Sequence, residues 1–443
     1  MIGYYLRLAL HSFRRNVGLT SVMVIAVGLG IAVCVVMLTI YHAMSGNPIW
    51  WKAERLYAVT MDLGYADKPF NVKHPELPPP QLAYRDAKYL AAHAPARRHS
   101  LSFWSVAVIV ADGAHAAPTP ISTRETTADF FAMFDVPFQY GTGWSSREDQ
   151  GPAPVIVLSK SMNDKLFGGE NSVGRTVRWN DHPFRVVGVL KDWLPMPKFF
   201  DLVSGAFNAP EAGYIPFAWG VTLKQVPNAG SVDCTSRNPV NSYDDFLNAD
   251  CMWLQLWVEL PDAASRTQMQ TLMDNYWSEQ RKAGRFPRAR NNRLTNVDQW
   301  LRDNDVVRDD NRVLIGLAMA FLAICLFNTI GVLLAKFLGR ASITGIRRAL
   351  GATRRDITVQ YLLEAGVLAV AGATFGLVLA AFGLAAVRAL YSQPDRGGFQ
   401  ELTHFDTTSV LWAVALAAVS ALAAGCYPAW RMGRLPPARY LKA

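Results

Sequence analysis

Four stretches of the chain carry no formal charge and are dominated by apolar residues: 17–44, 313–335, 365–387 and 407–430. A helix of about 20 such residues crosses a hydrocarbon core of about 30 Å. The pattern therefore predicts four membrane helices, over 17–44, 313–335, 357–387 and 407–430. Ahead of the first, Ile2, Tyr5, Leu6, Ala9, Leu10 and Phe13 recur at helical spacing with Arg7, Arg14 and Arg15 among them. That predicts an amphipathic helix over 1–16 lying on the inner leaflet. The first apolar run is nearly twice as long as a signal-peptide core, so it reads as an uncleaved anchor.

Between the first and second spans the pattern changes to short alternating and mixed stretches. Residues 56–61 and 101–110 read as strands. Residues 81–93 read as a helix opened by Pro78, Pro79 and Pro80. A short helix over 126–134 has Thr127 or Asp129 near its cap. A buried strand, 155–158, leads into a helix, 160–167. Residues 175–179 and 184–189 form a hairpin around Asn180-Asp181. After Trp193 prolines loosen the pattern, and 200–262 reads as an inserted subdomain with its own strand, 252–260. A helix over 263–282 follows, and the polar stretch 295–312 reads as a helical stalk feeding the second span. The fold class is thus membrane α-helical, with a mixed α+β extracytoplasmic domain (45–294) inserted between the first and second spans.

Charge fixes the expected orientation. Of the 443 residues, 44 are Lys or Arg and 35 Asp or Glu, a net charge of +9. The excess sits beside the spans: three arginines in 1–16; Lys336, Arg340, Arg347, Arg348, Arg354 and Arg355 in the link 336–356; and four cations in the tail 431–443. The middle, 45–311, holds 28 cations and 30 acids, and the loop 388–406 holds two and three. Cations in short flanking loops stay cytoplasmic. Both termini and the 336–356 link are therefore expected inside, with the middle domain and the 388–406 loop outside. The basic balance reports topology and no nucleic-acid patch. Cys34, Cys325 and Cys426 fall in spans and read as buried apolar residues. Cys234 and Cys251 fall outside, in an oxidising compartment, where a disulfide is expected; two unpaired thiols are the alternative.

No catalytic or metal constellation stands out. There is no phosphate-binding G-x-x-x-x-G-K-[ST], no H-E-x-x-H and no G-x-S-x-G. His182 reads as a turn residue, and Asp303, Asp305, Asp309 and Asp310 as a solvated face. Gly372 and Gly376, extended by Gly366 and Gly383, give the third span a small-residue face. It serves either internal packing or a subunit interface. Glu364 is an acid near the cytoplasmic end of that span, where a salt bridge to Arg354 or Arg355 is expected.

The link itself has structure. Ile343, Ile346 and Leu350 fall at i, i+3 and i+7, an apolar stripe, with Arg347 and Arg348 on another face. Gly351 breaks this helix. Thr353-x-x-Asp356 then resembles a capping box opening the third span.

The stretch GIRRALGATRRDITVQYLLEA resembles the signature of the FtsX/MacB-type permeases of ABC transporters. FRRNVGLTSVMVIAVGLGIA is similar to that family's first span. TTADFFAMFDVPFQYGTGW, VIVLSKSMNDKLFGG and VGRTVRWNDHPFRVVGVLKDW resemble successive parts of its periplasmic domain, and YPAWRMGRLPPARYL its C-terminal tail. The resemblance implies that Ile343, Gly345, Ile346, Arg347, Arg348, Leu350 and Gly351 form a coupling helix that docks into an ATPase. It further implies an ATPase dimer binding ATP and Mg, with no cofactor on this chain, and a second permease subunit. A membrane-fusion adaptor and outer-membrane channel are the further partners of an exporter in the bacterial inner membrane. Regulation of cell-wall hydrolases and lipoprotein release are the family's other activities. Ile343 stands where the family usually has Glu, so a charged contact to the ATPase is not expected there.

Overall fold

The computed structural model describes residue 3 and residues 17–111, 118–151, 153–235, 240–306, 309–390 and 407–434. The expected helix over 1–16 (Gly3 apart), nearly all of the 388–406 loop and the tail after Arg434 lie outside the described residues. The chain divides into two compact units, one of residues 1–45 and 307–443, the other of residues 46–306.

The first unit contains the four apolar helices, Val17–Ser45, Asp309–Leu338, Arg354–Leu390 and Thr407–Gly433. Each is long and apolar enough to cross a membrane. Glycine lets the first and third approach closely. A Cβ on Gly376 would lie 2.6 Å from the Gly28 carbonyl oxygen, and one on Gly372 3.0 Å from a Val27 methyl. The Gly372–Gly376 face therefore packs inside this unit. Cys34 and Cys325 are buried, as expected, whereas Cys426 is exposed. The fourth helix turns Cys426 outward while burying Ala424 and Ala429.

The second unit is built on a mixed sheet of twelve strands among the described residues. Its main path runs Arg293–Asn296, Leu56–Thr60, Cys251–Glu259, Arg98–Ala111, Thr119–Thr126, Gly213–Pro216, Val155–Leu158, His182–Leu190 and Phe138–Gly141. The strand Cys251–Glu259 is buried at every position. Its Leu256 and Val258 join an apolar cluster with Met269, Met273 and Phe286, while Trp257 joins Phe130, Phe199, Phe200 and Trp300 in another. This follows the period-2 alternation of a strand between two packed faces. The hairpin forms as expected, with Asn180 and Asp181 both at positive φ (43° and 66°).

Two expectations fail in this unit. Residues 200–262 are not an inserted subdomain, because Cys251–Glu259 pairs with both Leu56–Thr60 and Arg98–Ala111 in the middle of the sheet. The proline-rich stretch before Gly213–Pro216 is tied to the same sheet by buried charge. Arg124 engages Asp201 and, at 2.6 Å, Glu211, and Lys198 lies 3.2 Å from Glu211. Nor is 295–312 one stalk helix. Thr295 lies in the edge strand, the helix Val297–Asp303 buries Trp300 against the Phe199 carbonyl, and Asp305 at φ 48° ends it. A new helix begins at Asp309. The helix Asp129–Met133 has Ala128 at its N-cap, flanked by Thr127 and Asp129 as expected; the Thr127 hydroxyl donates to the His99 carbonyl and Asp129 accepts from the His99 amide.

Candidate coupling site

The second span's helix ends at Leu338, and Arg340 is the N-cap of a short helix, Ala341–Ala349. Gly351 takes φ +101°, where side chains other than hydrogen are strained. The Ala352 amide donates to the Arg347 carbonyl at 3.1 Å and the Gly351 amide to that of Arg348 at 3.2 Å. These two bonds form a Schellman motif, which closes the helix and satisfies its last carbonyls. The next helix starts at once. The Thr353 amide donates to Asp356 Oδ2 at 3.0 Å, and the Asp356 amide to Thr353 Oγ1 at 3.2 Å. That is the reciprocal capping box expected from the sequence. The glycine turn and the capping box therefore make a sharp, defined corner between the nine-residue helix and the third span.

One face of this helix is fastened to the bundle. Ala341, Thr344 and Gly345 are buried. The Thr344 hydroxyl lies 2.8 Å from that of Tyr361, and Arg347 donates to Gln360 Oε1 at 2.8 Å. The Phe337 and Tyr361 rings pack at a tilt of 47° with centroids 4.3 Å apart. Deeper in, Glu364 is 3% exposed, and its carboxylate forms ion pairs with Lys336 at 2.8 Å and Arg340 at 3.5 Å. The expected pairing of Glu364 with Arg354 or Arg355 is corrected accordingly. Those two arginines lie on the exposed first turn of the third span, while Glu364 turns toward the end of the second.

The opposite face is apolar and open. Ile343, Ile346 and Leu350 are 51%, 50% and 82% exposed. The usual arrangement of an amphipathic helix is thus inverted, with polar contacts inward and aliphatic side chains outward. Sequence reading found the stripe but missed Lys336, Thr344, Gln360 and Tyr361. Residues 336, 340, 344 and 347 recur at spacings of four and three, a polar face that could have been read from periodicity.

The other predicted residues lie apart from this site. Cys234 and Cys251 sit directly opposite on paired strands and form a disulfide. Glu125 went unremarked in the sequence. It is fully buried, accepts from Ser105 at 2.8 Å and Thr123 at 3.1 Å, and burial pushes its carboxyl up to about 8. Among the described residues no group of His, Cys, Asp and Glu is arranged to hold a metal ion.

Four apolar helices, a large α+β domain after the first and a capped elbow after the second define a multi-pass membrane protein of permease type. Residues 20–276 match the MacB-like periplasmic core domain and residues 314–437 the FtsX-like permease C-terminal domain, and the chain belongs to this family of MacB- and FtsX-like permeases. It is 26% identical over 311 residues to the pyoverdine export ATP-binding/permease protein PvdT of Pseudomonas syringae pv. tomato, covering 70% of this chain and 40% of that protein. It is 24% identical over 308 residues to the macrolide export ATP-binding/permease protein MacB of Bdellovibrio bacteriovorus, covering 68% and 41%. The chain thus spans about two fifths of these relatives. The crystallised periplasmic region of MacB from Actinobacillus actinomycetemcomitans matches 58% of this chain and 92% of its own, at 16% identity and a TM-score of 0.34.

Proposed function

We propose that this chain is the permease part of an ABC transporter, and that the helix Ala341–Ala349 is the handle gripped by a separate ATPase subunit. The supporting observation is the inverted helix. Ile343, Ile346 and Leu350 are exposed on a helix whose polar face is fastened to the spans. Exposed aliphatic side chains on a helix fastened along its other face are what a docking partner covers.

ATP and Mg bind the ATPase, and its closure pulls the handle. The spans relay the motion to the extracytoplasmic domain, which performs mechanical work without a pore through four helices. Both termini and the handle lie in the cytoplasm of a bacterial inner membrane, and two permease subunits meet one ATPase dimer. Export through a periplasmic adaptor and outer-membrane channel is the activity we favour, in line with the pyoverdine and macrolide exporters among the relatives.

Ile346→Glu with Leu350→Glu tests the docking. The complex is purified from membranes through a tag on this chain. The double variant is expected to remain in the membrane fraction and to lose the ATPase. ATPase recovery equal to wild type would sink the assignment.

A further inference from the structure

Positions 336, 340, 344 and 347 meet positions 364, 361 and 360 of the third span in reverse order, like the teeth of a zipper. Three of these contacts are ordinary: two hydrogen bonds and the partly exposed Arg340. The fourth is not. Lys336 and Glu364 have side chains only 1% and 4% exposed, and they face each other at 2.8 Å. A charged pair this deep in a membrane unit is expensive to build and is retained where it does something. Its placement is specific. Lys336 belongs to the last turn of the second span, Arg340 to the N-cap of the handle, and Glu364 to the third span. One carboxylate therefore touches all three elements that meet at the elbow.

We propose that Glu364 is the positioning residue of the coupling elbow: its carboxylate locks the end of the second span, the start of the handle and the third span into one rigid body. Without the lock, the handle is joined to the bundle by the buried Thr344–Tyr361 contact, the part-buried Arg347–Gln360 bond and the turns at its two ends, none of which ties the end of the second span to the third. A pull on the handle then bends the turn and leaves the spans behind. With it, the same pull moves both spans together. Glu364 touches neither nucleotide nor substrate, and its role is to transmit displacement. This inference rests on reading Ala341–Ala349 as the handle, but the lock itself is measurable without any ATPase.

The full chain is placed in nanodiscs, and amide exchange is followed over 341–349 and, as an internal control, over the strand 251–259. Glu364→Gln keeps the side-chain volume and removes the charge. It is expected to speed exchange in 341–349 by about tenfold or more while leaving 251–259 at wild-type rates, because local opening is governed by the contacts that fasten the segment. Lys336→Glu combined with Glu364→Lys restores one cation facing one carboxylate, and protection is expected to return. Unchanged exchange in Glu364→Gln overturns the lock. So does loss of protection that the exchanged pair fails to restore, since that outcome assigns the effect to packing. If Glu364→Gln disturbs 251–259 as well, Glu364→Asp decides: exchange confined to 341–349 supports the lock, and wild-type exchange there overturns it. In a complex containing the ATPase, Glu364→Gln is expected to retain ATPase binding and lose transport. The docking variant Ile346→Glu with Leu350→Glu loses binding itself, so failure of the lock and failure of the docking site give different results.

Discussion

Gly376→Ala asks whether the glycine face of the third span is an internal joint, as the structure has it, or a surface kept for another subunit. A methyl group there would lie 2.6 Å from the Gly28 carbonyl oxygen and 3.2 Å from the Gly28 Cα. Both atoms are backbone, so no rotamer change relieves the contact. The helices must separate by several tenths of an ångström, and the packing of Val27 and Ile31 against the third span loosens with them. Overpacking of this kind costs about 1–3 kcal/mol. Lipid does not offset the loss, because helix association in a bilayer rests on close packing. Gly366 is the control. Nothing lies within 4 Å of its Cβ position, and alanine is favoured over glycine inside a helix by about 1 kcal/mol. Buried Cys34 and Cys325 supply the assay. In a Cys426→Ser background, a fluorogenic maleimide reports the temperature at which the spans open. At about 2–4 °C per kcal/mol for a unit of this size, Gly376→Ala is expected to lower that midpoint by roughly 2–12 °C. Gly366→Ala is expected to leave it unchanged or raise it. A wild-type midpoint for Gly376→Ala, or equal shifts in both variants, would refute the packing argument.

Two further predictions concern the outer domain. The Cys234–Cys251 bridge closes a loop with a sequence separation of 17. Replacing both cysteines by serine is expected to remove about 3 kcal/mol of stability through loop entropy, read as a lower urea midpoint for the fluorescence of Trp253 and Trp257. Reductant is expected to shift wild type toward the variant and leave the variant unmoved. Glu125 gives a pH signature. Its carboxyl titrates at about 8 when folded, against an ordinary 4.5. Between those values the folded chain holds the extra proton, so this group's contribution to stability is full below pH 4.5, falls as pH rises to 8 and is flat above. Glu125→Gln is therefore expected to match wild type near pH 4.5 and exceed it at pH 9. A parallel pH dependence in the two proteins would contradict the burial argument.

The elements legible from sequence were those whose signal is local. The four spans announced themselves by charge-free length and the hairpin by Asn180-Asp181. The elbow was legible because glycine at Gly351 and the Thr353–Asp356 box act within a few residues. What was misread depends on distant partners. Residues 251–259 look like the end of a loose, proline-rich insertion until Leu56–Thr60 and Arg98–Ala111 are known to flank them. Arg124 gives no hint in sequence that it draws residues 198–211 onto the sheet. The partner of Glu364 was misjudged for the same reason. Proximity in sequence favoured Arg354 and Arg355, whereas the turn at Gly339 and Arg340 brings Lys336 back against the third span.

The handle's chemistry carries one more consequence. Ile343 lies on the exposed stripe with Ile346 and Leu350. The three exposures together equal roughly two fully exposed aliphatic side chains, so covering them contributes about 3–6 kcal/mol. Charge contributes less. Arg347 is already bonded to Gln360, and an exposed ion pair is worth about 0–1 kcal/mol. Docking of the ATPase is therefore expected to be carried by area and to tolerate salt. Raising ionic strength from about 0.1 M to about 1 M shortens the screening length from about 10 Å to about 3 Å. Over that range, binding to the chain in nanodiscs is expected to weaken by less than about tenfold. Leu350→Ala removes the most exposed of the three side chains, at about 2 kcal/mol or roughly thirtyfold in affinity. If high salt dissociates the complex while Leu350→Ala binds normally, the arginines hold the ATPase and the aliphatic stripe does not.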